Sequence, residues 1–235
     1  MIKQVLFDLD GTLLPMNNEE FAKTYFHYLG SHVKEVMEPK VVIEQLLTAT
    51  TLMVKDKDSS LTNEEVFMKH FTAGLGAQAD RVVARIMDFY ENAFWQLRKV
   101  TRPAVAARQA VEIVLQRGGV AVIATNPIFP RLATQQRLVW AGLESYAFPL
   151  VTVYENSHFC KPNPDYYQEI IDRMGWRAEE CLMVGNDVEE DLIAGCLGIK
   201  TCLVTDDLIN DKQLAVQADY VTTRQELPLL LERIL

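Results

Sequence analysis

Four short clusters of polar residues stand out against a largely apolar background. They are Asp8-Leu9-Asp10-Gly11-Thr12, Thr125-Asn126, Lys161 within Cys-Lys-Pro-Asn-Pro, and Gly185-Asn186-Asp187 with Asp191 beyond it. Three carboxylates brought together repel one another and persist most simply by sharing a hard cation with oxygen ligands, such as Mg2+. Magnesium keeps several waters and is completed by substrate phosphate. Lys161 would add a point charge and Thr125 a hydroxyl donor. Backbone N–H groups after Asp8 and Thr125 would point at phosphate oxygens. The ensemble is a cradle for a phosphoryl group, neutralised from several sides. Asp8 would then attack phosphorus and form an acyl phosphate, which a water later attacks. Asp10, two residues on, is placed to protonate the leaving alkoxide and afterwards to deprotonate that water. Gly11 suits an abrupt exit from a strand, where a bulky side chain would obstruct close backbone approach.

These clusters converge only if the elements before them end at a common edge. Gln4-Val-Leu-Phe-Asp-Leu reads as a short buried strand. From about Asn17 to Arg98 strand signals fade. Apolar residues recur at three- and four-residue spacing, at Phe21, Tyr25, Tyr28 and Leu29, then over Val41 to Leu52, Glu64 to Phe71 and Arg81 to Leu97. About four helices are predicted, broken near Ser31, at Lys55 to Ser60 and at Gly74 to Gly76. After Pro103 helices and apolar strands alternate. Strands are expected at Val120 to Thr125, Leu150 to Val153, Cys181 to Val184, Thr201 to Val204 and, weakly, Tyr220 to Thr222. Helices are expected at Ala104 to Gln116, Arg131 to Trp140 and Pro164 to Met174, with a further one beginning at Asp187 to Asp191. This pattern predicts an α/β fold, a doubly wound parallel sheet covered on both faces, with an all-helical insert after the first strand. Residues 1–15 and 100–235 would form the core and residues 16–99 the insert. In such sheets ligands bind outside the carboxyl ends of the strands, so all four clusters would face one cavity.

The order Asp8-x-Asp10-Gly-Thr, Thr125-Asn126, Lys161-Pro, then Gly-x-Asp187-x-x-x-Asp191 resembles the haloacid dehalogenase (HAD) superfamily, from residue 3 to about 205. The resemblance implies a Rossmann-like core with a mobile helical cap. It also implies Asp8 as nucleophile and metal ligand, and Asp10 as acid and base lending its backbone carbonyl to the metal. Thr125, Asn126 and Lys161 would bind the phosphoryl group, and Asp187 would complete a Mg2+ site with Asp191 in support. One position departs from the pattern. Many members carry an acid directly after the glycine of the last motif, where this chain has Asn186. Two registers therefore fit. Asp187 is favoured as the ligand because an anionic oxygen holds Mg2+ better than an amide, and Asn186 would contribute through its carbonyl oxygen.

The 235 residues are 49% apolar and 23% charged, as in a globular protein, with a formal charge of −9. A field of that sign argues against binding nucleic acid or an anionic membrane, while leaving room for a small phosphorylated metabolite beside a local cation. No apolar run reaches bilayer-spanning length. The four cysteines form no C-x-x-C pair and no secretory signal is evident, so reduced thiols and a cytoplasmic location are expected. Oligomeric state has no signature in the sequence. His27, His32, His70 and His158 read as structural, Trp95 and Trp140 as packing residues, and Glu189-Glu190 as a solvated helix start. Lys23, Tyr25 and the Lys55 to Ser60 loop are within the insert's reach of a substrate, although a solvated role is the simpler expectation. Taken together, the residues predict a Mg2+-dependent phosphatase acting on a small phosphomonoester. The alternatives are a phosphomutase with the same motifs and an idle binding module on the same fold. Asp10 argues against the dehalogenases of the superfamily, which attack carbon and lack that second aspartate.

Overall fold

In the computed structural model, which describes residues 2–235, five parallel strands form one sheet. They are β1 (Gln4–Phe7), β2 (Val120–Ile123), β3 (Cys181–Gly185), β4 (Lys200–Val204) and β5 (Tyr220–Thr222), in the order β2-β1-β3-β4-β5. The register pairs Phe7 with both Ile123 and Val184, so the ends of the three central strands are level. Side-chain alternation sends Val5, Phe7, Ile123 and Val184 to one face, against α5 (Val105–Gln116) and α8 (Leu227–Ile234). Leu6, Val122 and Met183 point to the other, against Tyr166, Tyr167 and Ile170 of α7 (Pro164–Met174). Apolar side chains on both faces explain why these strands read as continuous apolar runs.

Between β1 and α5 the chain is helical: α1 (Asn18–Val33), α2 (Pro39–Lys55), α3 (Asn63–Leu75) and α4 (Ala79–Asn92), then a 3-10 stretch, Phe94–Val100. Thr62 opens α3 with a capping box to Glu65, and Asn17 caps α1 by accepting from the Glu20 N–H at 2.9 Å. Aromatic residues knit the helices together. Tyr25 meets Phe89 edge-on at 5.7 Å, and Phe94 stacks on Trp140 of α6 (Arg131–Ala141) at 5.3 Å. The two crossings of the chain lie side by side, through a Met16–Thr101 bridge and the Arg102 N–H donating to the Pro15 carbonyl at 3.0 Å. Among the described residues no helix is long and apolar enough to cross a membrane.

Four expectations are corrected. Leu150 to Val153 is no strand and makes a single bridge, Val151 with Ile123. The Asn156 carboxamide takes the Val153 N–H at 2.9 Å and the Val151 carbonyl at 3.0 Å, so the backbone groups of a ladder are already engaged. The break expected near Ser31 falls a few residues later, at 34–38, because the Ser31 hydroxyl donates back to the His27 carbonyl and α1 continues to Val33. No α-helix begins at Asp187 to Asp191. Asp187 Oδ1 accepts the N–H groups of Glu189 and Glu190, holding a turn that leads into a 3-10 stretch, Leu192–Leu197. Trp95 is not a packing residue, being 60% exposed.

Candidate active site

The loop after β1 carries Asp8, Asp10 and Gly11. Gly11 has φ +80°, and a Cβ there would overlap the Asn186 carboxamide. Asn186 is buried and fully engaged: its Oδ1 accepts the Thr12 hydroxyl at 2.8 Å, and its Nδ2 donates to the Asp207 carbonyl at 2.6 Å. Arg224, from the far end of the chain, donates to the Gly11 and Thr12 carbonyls at 2.6 and 2.7 Å and pairs with Asp207. The loop is thus held from three sides. Gly11→Ala is expected to cost about 2–4 kcal/mol, because it combines the left-handed backbone with steric overlap. Chemical denaturation reads that loss, and an unchanged midpoint would show that the loop yields.

Lys161 lies beneath this loop with no exposed surface. Its Nζ donates to Asp8 Oδ1 at 3.0 Å and to Asp191 Oδ1 at 2.6 Å. Burial alone would lower the ammonium's pKa, but the two carboxylates outweigh it and hold the pKa well above its ordinary value. Asp191 Oδ2 also accepts the Asp187 N–H at 2.9 Å, and a side chain at Gly185 would collide with Asp191. Burial raises the Asp8 carboxyl to about 7 despite Lys161, with Asp191 and Asp10 adding to the rise. Asp187 is raised by burial as well.

Asn126 fastens the Lys161 loop to the end of β2. Its Oδ1 accepts the Lys161 N–H at 3.2 Å, and its Nδ2 donates to Glu190 at 2.9 Å. Both ends of the Asn126 amide are thus bonded within the protein, which leaves its backbone N–H as the group expected to face phosphate. The Thr125 carbonyl is fixed by Thr152 and Tyr166 hydroxyls at 2.7 and 2.9 Å. Asp8, Asp10, Thr125, Asn126, Asn186, Asp187 and Asp191 all line one cavity of about 460 Å³, enclosed on its far side by α1 to α4.

Two residues here were not foreseen. Arg137, on α6, is 1% exposed and forms an ion pair with Asp10 Oδ2, with Phe129 against its guanidinium at 4.6 Å. Burial raises the Asp10 pKa while Arg137 opposes the rise. The signal was an arginine on the same helical stripe as Ala133, Thr134, Leu138 and Ala141, where a charge requires a buried partner. Glu190 corrects the solvated reading of its acidic pair: it lines the cavity, and burial lifts its carboxyl to about 8 against the pull of Lys161. No spacing rule distinguishes it from its neighbour Glu189. Tyr25 lines the cavity as well, whereas Lys23 is exposed. His158 is held by Glu169 at 2.8 Å, outside the cavity lining.

Among the described residues, no three of His, Cys, Asp and Glu are gathered into a cluster able to hold a metal by themselves. The donor set nevertheless suits a hard cation that relies on water and substrate for the rest of its shell. Asp8, buried, and Asp187, half-buried, face the same space with their anionic forms disfavoured without a counter-charge, and Asp10 Oδ1 is buried without a partner.

Residues 2–195 match the family of haloacid dehalogenase-like hydrolases. The chain is 26% identical over 205 residues to Pyrophosphatase PpaX of Halalkalibacterium halodurans, covering 86% of this chain and 83% of that protein. It is 25% identical over 235 residues to a glyceraldehyde 3-phosphate phosphatase of Methanocaldococcus jannaschii, covering 97% and 96%. The fold superposes on L-2-haloacid dehalogenase from Xanthobacter autotrophicus with a TM-score of 0.59 at 17% identity, over the full length of both chains.

Proposed function

Because this chain belongs to the haloacid dehalogenase-like hydrolases, we propose that it is a Mg2+-dependent phosphatase that cleaves a small phosphomonoester through an aspartyl-phosphate on Asp8. The observation that carries this reading is the chain of contacts at the rim of the sheet. Lys161 is enclosed between Asp8 and Asp191, beside an Asp10 carboxylate with one oxygen held by Arg137 and the other buried without a partner. A buried acceptor left unpaired is costly, and it is accounted for when the substrate's leaving oxygen supplies the missing partner. The relatives named above are a pyrophosphatase and a glyceraldehyde 3-phosphate phosphatase, which supports a small phosphorylated substrate.

In the proposed reaction an Asp8 carboxylate oxygen bonds to phosphorus as the bond from phosphorus to the leaving oxygen breaks. Asp10 gives its proton to that leaving oxygen. Asp10 then takes a proton from a water whose oxygen attacks phosphorus. The bond from phosphorus to Asp8 breaks, and orthophosphate and free Asp8 are restored. Lys161 and Thr125 neutralise and orient the phosphoryl oxygens. The Asn126 side chain is kept for positioning, so any contact it makes with phosphate falls to its backbone N–H. Magnesium, when bound, supplies positive charge to the transferring phosphoryl group. Asp8, the Asp10 backbone carbonyl and Asp187 are its proposed ligands, with Asp191 holding Lys161 behind them. The Asn186 carboxamide is already bonded at both ends, to Thr12 and Asp207, and its oxygen carries no charge, which favours Asp187 as the ligand of the last motif. Residues 16–99 are taken as the cap, hinged at the paired crossings of residues 15–16 and 101–102.

The direct test is phosphate release from p-nitrophenyl phosphate and a panel of phosphorylated metabolites. Turnover with Mg2+ that is abolished by EDTA is expected. No release from any member would leave the idle binding module as the better reading. Linkage provides a second test. The folded pKa of Asp8, about 7, lies above its unfolded value of 3.8, so the metal-free fold binds the extra proton. Its stability from this group falls as pH rises between about 4 and 7. A cation competes with that proton, so saturating Mg2+ should raise Tm by roughly 5–10 °C at pH 8 and by much less at pH 5.5. An equal gain at both values would count against Asp8 as a ligand.

A further inference from the structure

Lining the cavity, beyond the carboxylates at its floor, are Phe21 and Phe26 of α1, Leu46 of α2, Phe67 and Phe71 of α3, and Ile86 of α4. Among the described lining residues there is no lysine, arginine or histidine. The cations behind the floor are already engaged: Lys161 is shared by two carboxylates, and Arg137 is paired with Asp10. A leaving group carrying a second phosphate or a carboxylate would enter this space without a counter-ion, next to Asp10, Asp187 and Glu190. A polyol would find few partners: the hydroxyls of Tyr25 and Tyr90 are bonded to each other at 2.8 Å, leaving one O–H between them, and the other polar lining residues away from the core loops at the floor are Asn18, Thr50 and Tyr154. An ammonium group would find aromatic faces but no carboxylate at the helical end, since every acidic lining residue belongs to the core loops.

From this lining we infer that the substrate is a phosphomonoester of an apolar alcohol, whose uncharged hydrocarbon body fills the space between α1, α2, α3 and α4. The inference rests on the phosphatase reading and narrows it to a chemical class. A volume of about 460 Å³ accommodates a hydrocarbon chain of several carbons or a small ring system. The far wall selects chiefly by burial, while the phosphoryl group is fixed at the floor. Each methylene moved from water into such a site is worth about a fourfold gain in affinity.

The experiment is a homologous series of n-alkyl monophosphates from ethyl to octyl, assayed with Mg2+ beside phosphoglycolate, glyceraldehyde 3-phosphate, pyrophosphate and phosphocholine. The expected result is a kcat/KM that climbs about fourfold per methylene until the cavity is filled, with the charged and polar esters far below the octyl ester. A flat or falling series, or any of the four comparison compounds exceeding the octyl ester, would overturn the inference. The matching n-alkylphosphonates, which have no ester bond to cleave, are titrated calorimetrically in parallel. If no ester is turned over yet phosphonate affinity still rises with chain length, the catalytic reading fails and the apolar site stands. If phosphonate affinity ignores chain length, the apolar site fails whatever the turnover.

Discussion

Replacing Asp8 with Asn is expected to lower phosphate release by at least about 10⁴-fold while leaving a folded protein. Removing a nucleophile takes away the covalent step itself, and losses of this order or greater follow when such a group is deleted. The fold should survive because Asp8 is not a net stabiliser in the metal-free state: burial has already lifted its carboxyl to about 7. An amide of the same shape removes a group that is costly to ionise and leaves Lys161 its 2.6 Å partner, Asp191. Metal-free Tm at pH 8 should therefore change by only a few degrees, and the Mg2+-dependent rise in Tm should largely vanish. Steady-state kinetics and thermal melts read the two effects separately. Near-wild-type turnover in the pure variant would mean that another group attacks phosphorus.

Lys161→Met is expected to damage both stability and activity. The side chain is fully enclosed and is the only positive group bonded to either Asp8 or Asp191 among the described residues. Methionine matches its length but leaves two carboxylates facing each other in a dry site. Breaking a buried ion pair by removing one partner costs about 3–5 kcal/mol, a drop of roughly 10 °C in Tm for a chain of this size. The sign with pH is set by Asp8. In the parent the ammonium holds the Asp8 carboxyl down at about 7; without it the value rises further, so the variant goes on losing stability with rising pH beyond the point where the parent stops, and the deficit should be larger at pH 8 than at pH 5.5. Turnover should fall by at least about 10³-fold through loss of charge at the phosphoryl group. Arginine should not rescue it, because the larger planar guanidinium cannot occupy a pocket closed around an ammonium. A Met variant that melts like the parent at both pH values would show that water or another cation reaches Asp8 and Asp191.

Strand ends and motif positions were legible because they obey short-range rules. Val5, Phe7, Val122 and Val184 announce strands buried on both faces, and Asp8, Thr125 and Asp187 follow within one to three residues of their ends. The helical insert was legible for the same reason, since Phe21, Tyr25 and Leu29 can share a side only on a helix. Errors fell where side chains compete with backbone pairing. Asn156 dissolves the expected strand at Leu150 to Val153, and Asp187 turns the expected helix into a loop. Trp95 was misjudged because helical spacing does not say which flank of a 3-10 stretch meets the core.

By itself, then, the sequence determined the α/β plan, the helical insert and the candidate groups Asp8, Asp10, Lys161 and Asp191 that the fold brings together, because residue type and local periodicity carry that information. Only the tertiary structure decided which partner each group has. Arg137 reaches Asp10 across 127 positions, the Asn126 carboxamide holds the Lys161 N–H and Glu190, and the Asn186 carboxamide is bonded to Thr12 and Asp207. It also decided that the space above the carboxylates is walled mainly by aromatic and aliphatic side chains, with no lysine, arginine or histidine among the described lining residues. Burial, charge pairing and cavity lining are set by contacts between distant segments, and no spacing along the chain encodes them.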